Sequence, residues 1–259
     1  MEIRQIVRDN MADVYCCLGE KRDQYKDETT ESVGYMKENP GLGWLIYGAY
    51  NDENQPVGMA ILIPSTDPVS SVIGKDVYYF HCMDINKELR KQGLGTKLIE
   101  RITDDVKALG AKGLAVDCWS EYWMPLEFFK KRGFELVQAF HEHSLLLKKI
   151  SSEAVVRFHP LPYWGDLPQA GLQVDIQHWV TCPYIISNYR KAKEIIAKLE
   201  PDAVIRERII DTAVDVGRWG GSGLFINGLS VSGGPVSEEG LKKAFAAAKD
   251  DLKTRGIKK

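Results

Sequence analysis

The sequence predicts an α/β protein with two domains. Strand-like and helix-like patterns alternate over the first 150 residues, and a shorter strand–helix–strand–strand–helix unit follows residue 171. Between them, "PLPYWGDLPQAG" (Pro160–Gly171) is rich in proline and glycine and has no helical period. The 259 residues suffice for two domains of ordinary size. We therefore expect a first domain over 1–150, an irregular linker over 151–170 and a second domain over 171–259.

The first half of this pattern begins with an N-terminal strand and helix. "WLIYGAYNDENQPVGMAILIP" (Trp44–Pro64) then reads as two strands joined by the polar turn "NDENQP". "DVYYFHCMDI" (Asp76–Ile85) is aromatic and apolar, which indicates a buried strand. A helix with one apolar face follows, with Gly110 as its C-terminal stop. The residues on that face are Leu98, Ile102, Val106 and Leu109.

The end of the first domain is predicted from three shorter patterns. "GLAVDCW" (Gly113–Trp119) indicates a strand. "MPLEFFKKRGF" (Met124–Phe134) indicates a short helix, with proline near its start and glycine past its end. Two strands, at Glu135–Phe140 and His143–Lys149, complete the domain.

The second domain repeats the alternation on a smaller scale. A strand at Leu172–Val180 precedes a helix whose apolar positions are spaced three to four residues apart. "AVIRERII" and "GLFING" are strand candidates, and a last amphipathic helix follows. The apolar positions of the two helices are Ile185, Tyr189, Ala192, Ile196 and Leu199, then Leu241, Ala244, Phe245, Ala248 and Leu252.

Composition excludes several classes of function. The apolar fraction is 44%, the charged fraction 27% and the net charge −2, so there is no electrostatic signature of a nucleic-acid-binding or membrane-surface protein. No apolar run approaches the ~20 residues that span a bilayer, and the N-terminus lacks the pattern of a signal peptide. The five cysteines lack metal-ligand spacing. We expect reduced thiols, no metal and a cytoplasmic location.

The segment "LRKQGLGTKL" (Leu89–Leu98) is the strongest candidate for a ligand site. Glycines between a strand and a helix allow backbone amides to approach a phosphate, and the helix start adds partial positive charge. A dinucleotide fingerprint would need a third glycine at Leu98, and a phosphate loop of the Walker type would need G-K-[ST]. A plain turn before a core helix remains the alternative.

The wider pattern narrows these alternatives. "RKQGLG" fits R/Q-x-x-G-x-G/A, and "FFKKRGF" follows about 40 residues later. With the order of elements over about residues 1–149, this resembles the GNAT superfamily of N-acetyltransferases. The resemblance implies a mixed sheet whose two central strands diverge, and acetyl-CoA as co-substrate. It places the pyrophosphate on Arg90, Lys91, Gln92, Gly93, Leu94, Gly95 and Thr96, and the pantetheine arm beside Met83, Asp84 and Ile85.

The catalytic groups are less clear from the sequence. Acetyl transfer needs a proton acceptor for the amine, and His81 in the central strand is the neutral-pH titrator there, with Glu121 as an alternative. The family's tyrosine acid aligns with Phe129, which also lies at the cofactor but cannot donate a proton. Tyr122 aligns with a frequent asparagine and is the substitute candidate for the acid. Cys82 and Cys118 are expected to be packing residues.

The second domain resembles a glutaredoxin. "TCPYII" (Thr181–Ile186) is similar to the C-P-Y-C site with Ile185 in place of the second cysteine, and "LFINGLSVSGG" is similar to another glutaredoxin segment. The resemblance implies a thioredoxin-like domain of the YoaP type. Cys182 at a helix start should have a lowered pKa. Its use stays open between an inherited scaffold that shapes the substrate cleft, a monothiol or thiol-ligand site, and an acetyl-accepting or regulatory thiol.

Together these observations predict an N-acetyltransferase that moves an acetyl group to a small amine or amino-acid-like metabolite by direct attack in a ternary complex. Two alternatives from other classes stay open: a non-catalytic acetyl-CoA sensor, suggested by Phe129, and a monothiol redox or thiol-binding protein that uses Cys182. The expected partner is a small-molecule amine, with no nucleic acid and no membrane, and a homodimer is kept as an option.

Overall fold

The computed structural model describes residues 1–39, 43–67, 70–119, 123–140, 143–159, 171–210, 223–231 and 236–254. The chain divides into two compact units, Met1–His159 and Pro160–Lys259. None of the described helices is long and apolar enough to cross a membrane.

The first unit contains nine described strands and three α-helices. The strands are β1 (Glu2–Gln5), β2 (Leu45–Tyr50), β3 (Pro56–Pro64), β4 (Val72–Gly74), β5 (Val77–Ile85), β6 (Gly113–Trp119), β7 (Glu135–Phe140), β8 (His143–Lys149) and β9 (Val156–Phe158). The helices are α1 (Lys26–Glu38), α2 (Leu94–Ala108) and α3 (Leu126–Lys130), with 3-10 segments at Arg8–Lys21, Asp23–Tyr25 and Lys87–Leu89.

Seven of these strands form one mixed sheet in the order β1-β2-β3-β5-β6-β8-β7. Only the β5–β6 contact is parallel among the described pairs of this sheet. Its register runs from Val77 opposite Gly113 to Phe80 opposite Val116. Beyond these residues β5 continues to Ile85 and β6 to Trp119, each paired on its outer side alone. The two central strands therefore diverge, as the sequence resemblance implies.

Helix α2 covers one face of this sheet. Its buried residues Leu98, Ile102 and Val106 pack in one cluster with Phe80, Leu114 and Phe129 from the strands and α3. Gly110, at φ +82°, ends the helix: its N–H bonds Lys107 O, and Ala111 N–H bonds Val106 O. The predicted helix face is confirmed except at Leu109, which is 61% exposed because it caps the helix instead of continuing it.

The boundary of the first unit lies later than expected. Strand β9 pairs antiparallel with β4, from Val72 opposite Phe158 to Gly74 opposite Val156. Residues 156–158 thus belong to the first unit, although the sequence placed them in the irregular linker. A three-residue strand gives too little periodicity to be seen in sequence. Residues 160–170 of the predicted linker lie outside the described residues.

The second unit contains four described strands and two α-helices. They are β10 (Gln173–His178), α4 (Pro183–Leu199), β11 (Val204–Ile209), β12 (Gly223–Ile226), β13 (Leu229–Ser230) and α5 (Glu238–Thr254). The strands form one sheet in the order β11-β10-β12-β13. Strands β10 and β11 are parallel and joined through α4, whereas β12 is antiparallel to both β10 and β13. Apolar residues of α4 and α5 pack on this sheet around Val174, Ile176 and Ile226.

Candidate active site

The divergence of β5 and β6 leaves main-chain groups of β5 facing a gap. Asn86 N–H donates to Val57 O at 2.9 Å, so the backbone of Asn86 points toward β3. Alternate residues of a strand point to opposite neighbours, which turns the backbone of Met83 and Ile85 toward the side from which β6 has departed. Met83 and Ile85 are two of the three residues that the resemblance assigns to the pantetheine arm; Asp84 is the third.

The backbone of Ile85 is engaged within the chain. Arg90 Nε donates to Ile85 O at 2.8 Å, and the Ile85 N–H donates to the carboxylate of Asp84. Arg90 also pairs with Asp84 at 2.9 Å. Burial raises the pKa of Asp84, although the adjacent Arg90 guanidinium lowers it. Arg90 thus fastens the loop to the end of β5, which leaves Met83 as the better-placed backbone partner for an extended ligand.

The glycine-rich loop ends at the start of α2, where main-chain N–H groups of the first turn have no helical acceptor. Gly93, at φ +83°, is the N-cap of α2, and its carbonyl accepts the N–H groups of Thr96 and Lys97. The N–H groups of Leu94 and Gly95 belong to the first turn and have no intrahelical acceptor. Gln92 is exposed and its amide bonds Glu88 O at 2.9 Å, and Lys91 is an exposed non-glycine residue at φ +65°.

The second glycine of the loop lies in a tight space between two side chains. A Cβ atom on Gly95 would lie 3.0 Å from Phe128 Cζ and 3.5 Å from Met83 Cε. Gly95 therefore lies beneath the Phe128 ring and close to the Met83 side chain. The two glycines serve different purposes, since nothing lies within 4 Å of a Cβ on Gly93 and only its backbone conformation requires glycine.

Arg132 is a site residue that the sequence reasoning did not single out. Its Nε and Nη2 donate to Thr96 Oγ1 at 3.0 and 2.5 Å, and Nη1 donates to Phe128 O at 2.5 Å. The guanidinium also lies 3.7 Å from the centre of the Phe128 ring. Arg132 thus joins α3 to the first turn of α2 and brings a cation to the predicted phosphate site. Its place in "FFKKRGF" was the available signal.

His81 occupies a β-bulge. Ile61 lies opposite Cys82 and Leu62 opposite Phe80, so His81 is the extra residue of β5. The side chain is buried, with its ring centre 6.4 Å from that of Trp44. Burial lowers the pKa of His81 to about 4, so the expectation that it titrates near neutral pH is wrong. It remains a neutral imidazole with weak proton affinity.

The remaining predicted site positions are Phe129 at the cofactor and the catalytic candidates Glu121 and Tyr122. Phe129 is buried in the core and meets Phe80, Phe128 and Phe134 edge-on, with ring centres 5.1 to 5.8 Å apart. Its assignment to the cofactor site stays a prediction. Glu121 and Tyr122 lie outside the described residues.

A carboxylate–histidine pair lies where β6 leaves β5. Asp117 Oδ2 and His143 Nδ1 are 2.8 Å apart, and the Asp117 side chain is 13% exposed. Burial raises the pKa of Asp117 by more than the hydrogen bond from His143 lowers it, so the net shift is upward. The sequence analysis missed this pair. The signal was an aspartate within the otherwise apolar strand "GLAVDCW".

The thiols are mainly packing groups. Cys118 belongs to the α2 cluster, and burial raises its pKa to about 12. Burial also raises the pKa of Cys182, because desolvation outweighs the N–H groups of Tyr184 and Ile185 at the start of α4. The expected lowering of the Cys182 pKa is therefore wrong. None of the five cysteines forms a disulfide, and the described residues contain no group of three metal-ligating side chains.

Comparison with known proteins agrees with this geometry. Residues 8–134 match the model of the acetyltransferase (GNAT) family. No curated protein matches the chain. Similar solved structures include a GNAT-family acetyltransferase from Staphylococcus aureus, with 14% identity and a TM-score of 0.45 over 58% of this chain and 99% of that one.

Two further similar structures contain coenzyme A. One is the PaiA N-acetyltransferase from Thermoplasma acidophilum, with 16% identity and a TM-score of 0.42 over 57% of this chain and 98% of that one. The other is the GNAT-family N-acetyltransferase YhbS from Escherichia coli, with 17% identity and a TM-score of 0.45 over 61% and 89%. Residues 8–134, with the diverging central strands and the loop before α2, form a GNAT acetyltransferase domain, and the protein that carries it is an acyltransferase.

Proposed function

We propose that the protein is an N-acetyltransferase that uses acetyl-CoA and acetylates the amine of a small or amino-acid-like molecule by direct attack in a ternary complex. The observation that carries this proposal is the start of α2, where the Leu94 and Gly95 amides lie beyond a left-handed Gly93. Similar proteins bind coenzyme A, which supports acetyl-CoA as the co-substrate.

The loop residues provide the binding energy in this proposal. The amides of Leu94 and Gly95 and the positive end of the α2 dipole receive the pyrophosphate. Lys91, Gln92, Thr96 and the adjacent Arg132 surround it with donors, and Arg90 holds the loop on β5. The Met83 backbone pairs with the pantetheine arm as an additional strand would, because β6 leaves that side of β5 open.

The chemistry requires few groups. A C–N bond forms, the C–S bond breaks, and the amine loses a proton while the sulfur leaves as a thiolate. Backbone N–H groups stabilise the oxyanion, and holding the reactants together supplies much of the acceleration. Tyr122 is our candidate for protonating the thiolate, because Phe129 has no proton to give. Glu121 and His81 are candidate proton acceptors, although the low pKa disfavours His81.

For the second unit we propose a thioredoxin-like fold. A parallel β10–α4–β11 unit followed by an antiparallel β12–β13 pair and a final helix supports this proposal. Cys182 immediately precedes α4. Because burial raises the pKa of Cys182, we assign this thiol a structural role and no chemical step in the acetylation reaction. Cys182→Ser should then leave acetyl transfer intact, and loss of turnover with intact coenzyme A binding would contradict this.

A ligand test and an activity test address the main proposal. Coenzyme A should raise the melting temperature, since a ligand at 100 times its Kd stabilises by about 2.7 kcal/mol. NAD⁺ is the matched control, because the loop lacks the third glycine of a dinucleotide site. Thiol release from acetyl-CoA should then depend on a member of a panel of aminoglycosides, polyamines and amino acids. Stabilisation without any amine-dependent thiol release would favour the sensor alternative instead.

A further inference from the structure

The position of Asp117 places a carboxylate at the opening between the two central strands. Val116 is the last residue of β6 that pairs with β5. Val116 and Cys118 both pack in the cluster under α2. Because side chains alternate along a strand, Asp117 between them lies on the opposite face of the sheet. It is therefore the first residue past the fork, on the face away from α2.

Strand register brings His143 to this carboxylate. Asp117 lies opposite Leu145 and Trp119 opposite His143, so His143 and Asp117 are diagonal neighbours on one face. The separation of 2.8 Å between Nδ1 and Oδ2 is that of a strong hydrogen bond. In the tautomer that donates Nδ1–H to Asp117, a neutral imidazole carries its lone pair on Nε2. His143 is 35% exposed, which gives the ring access to solvent and to a small molecule.

Fold stability does not explain the pair. A buried carboxylate costs free energy unless hydrogen bonds compensate it, and Asp117 Oδ1 has no donor among the described residues. An apolar residue at position 117 would suit the sheet better, as at Ala115 and Leu145, which are fully buried. A polar group retained at such a cost next to a ligand site indicates a chemical role.

The surrounding titratable groups do not compete for protons near neutral pH. Burial raises the pKa of Tyr79 well above its ordinary value and that of Cys118 to about 12. His81 on β5 stays neutral because burial lowers its pKa to about 4. Asp84, the carboxylate at the end of β5, is already paired with Arg90. The Asp117–His143 pair is a second described acid–base pair at the fork, and it contains an imidazole.

We propose that His143 is the proton acceptor of the acetyl transfer, with Asp117 as its positioning residue. This inference rests on the proposed function. As the amine nitrogen bonds to the thioester carbonyl carbon, its proton moves to His143 Nε2, and Asp117 stabilises the resulting imidazolium. The coenzyme A sulfur leaves with the electron pair of the C–S bond.

The test uses the full-length protein with the best amine from the panel above. His143→Ala should lower kcat about 100-fold or more, with the KM for acetyl-CoA unchanged, because general base catalysis contributes roughly 10²–10⁴. Added imidazole should restore part of this activity. Asp117→Asn should lower kcat without rescue by imidazole. His178→Ala is the matched control, since His178 pairs with Glu207 at 3.1 Å in the second unit and should leave kcat unchanged.

The outcomes separate this inference from the proposed function. If the His143→Ala and His143→Gln variants both keep the kcat of the wild type, the assignment of His143 as the proton acceptor is overturned. The proposed N-acetyltransferase activity would then still stand. Loss of activity that imidazole does not restore, in a variant that coenzyme A still stabilises, would make His143 a structural residue. Absence of turnover by the wild type with every amine would remove the proposed function, and this proton transfer with it.

Discussion

The two ends of α2 allow a matched test of the glycine-rich loop. Gly93 at the N-cap has φ +83°, and Gly110 beyond the C-terminus has φ +82°. A Cβ on either glycine would meet no atom within 4 Å. Alanine therefore introduces the same backbone strain at both ends without a steric clash. Only Gly93 adjoins the amides that we assign to the pyrophosphate.

The strain sets the size of the expected effect. A non-glycine residue in the left-handed region costs roughly 1–2 kcal/mol. If Gly93→Ala keeps its backbone conformation, the free energy of unfolding falls by that amount and the affinity for coenzyme A is retained. If the loop relaxes to an unstrained conformation, the free energy of unfolding is unchanged, but the N–H groups of Leu94 and Gly95 turn away from the proposed pyrophosphate position. Coenzyme A can still bind the strained conformation of the loop. The Kd therefore rises by no more than the factor that corresponds to the strain energy, which is about 5- to 30-fold.

Calorimetric titration with coenzyme A and denaturant unfolding measure the two quantities on the same preparations. For Gly93→Ala we expect the Kd to rise, because the exposed loop has room to relax, with a smaller loss of stability. For Gly110→Ala we expect a loss of about 1–2 kcal/mol in stability and an unchanged Kd. Equal effects of both variants on the Kd, or none from Gly93→Ala on either quantity, would refute the assignment of the loop.

Three further predictions follow from contacts around the site. Gly95→Val should displace the Phe128 ring and cost about 1–3 kcal/mol of stability, and adding Phe128→Ala should recover part of this loss in denaturant unfolding. Thr96→Val removes the acceptor for two Arg132 donors and should cost about 1–3 kcal/mol, whereas Thr96→Ser should cost less than 1 kcal/mol. The folded-state pKa of His81 is lowered, so the unfolded chain takes up its proton first as pH falls. Stability should therefore drop by up to about 3 kcal/mol from pH 6.5 to 4, and His81→Asn should flatten this slope in urea titrations at each pH.

Most elements of the fold follow from local patterns. The strand at Gly113–Trp119 and those at Glu135–Phe140 and His143–Lys149 have the predicted bounds, because strand alternation and turn residues are both local. The short helix predicted within Met124–Phe134 spans Leu126–Lys130, with Pro125 at its N-cap. Gly133, at φ +81°, lies past its end, as its position in the sequence predicts.

Ionisation states follow from burial, which local sequence does not report. Residue type predicts that His81 titrates near neutral pH, and the position of Cys182 at a helix start predicts a lowered pKa for its thiol. In the fold, desolvation dominates each of them and shifts each toward its neutral form. The strand–glycine turn–helix arrangement of the loop could be predicted, because glycine spacing encodes backbone conformation directly.

The proposed proton acceptor shows why catalytic groups are harder to predict than the loop. Asp117 and His143 are 26 residues apart, and neither belongs to a recurring motif. Their contact requires that β8 pair with β6 in one register, with Leu145 opposite Asp117. A shift of one residue would turn His143 to the α2 face. The anchor of that register is the buried Leu145–Leu147 stretch. The same apolar residues that stabilise the sheet thus fix the position of the histidine that we propose as the base.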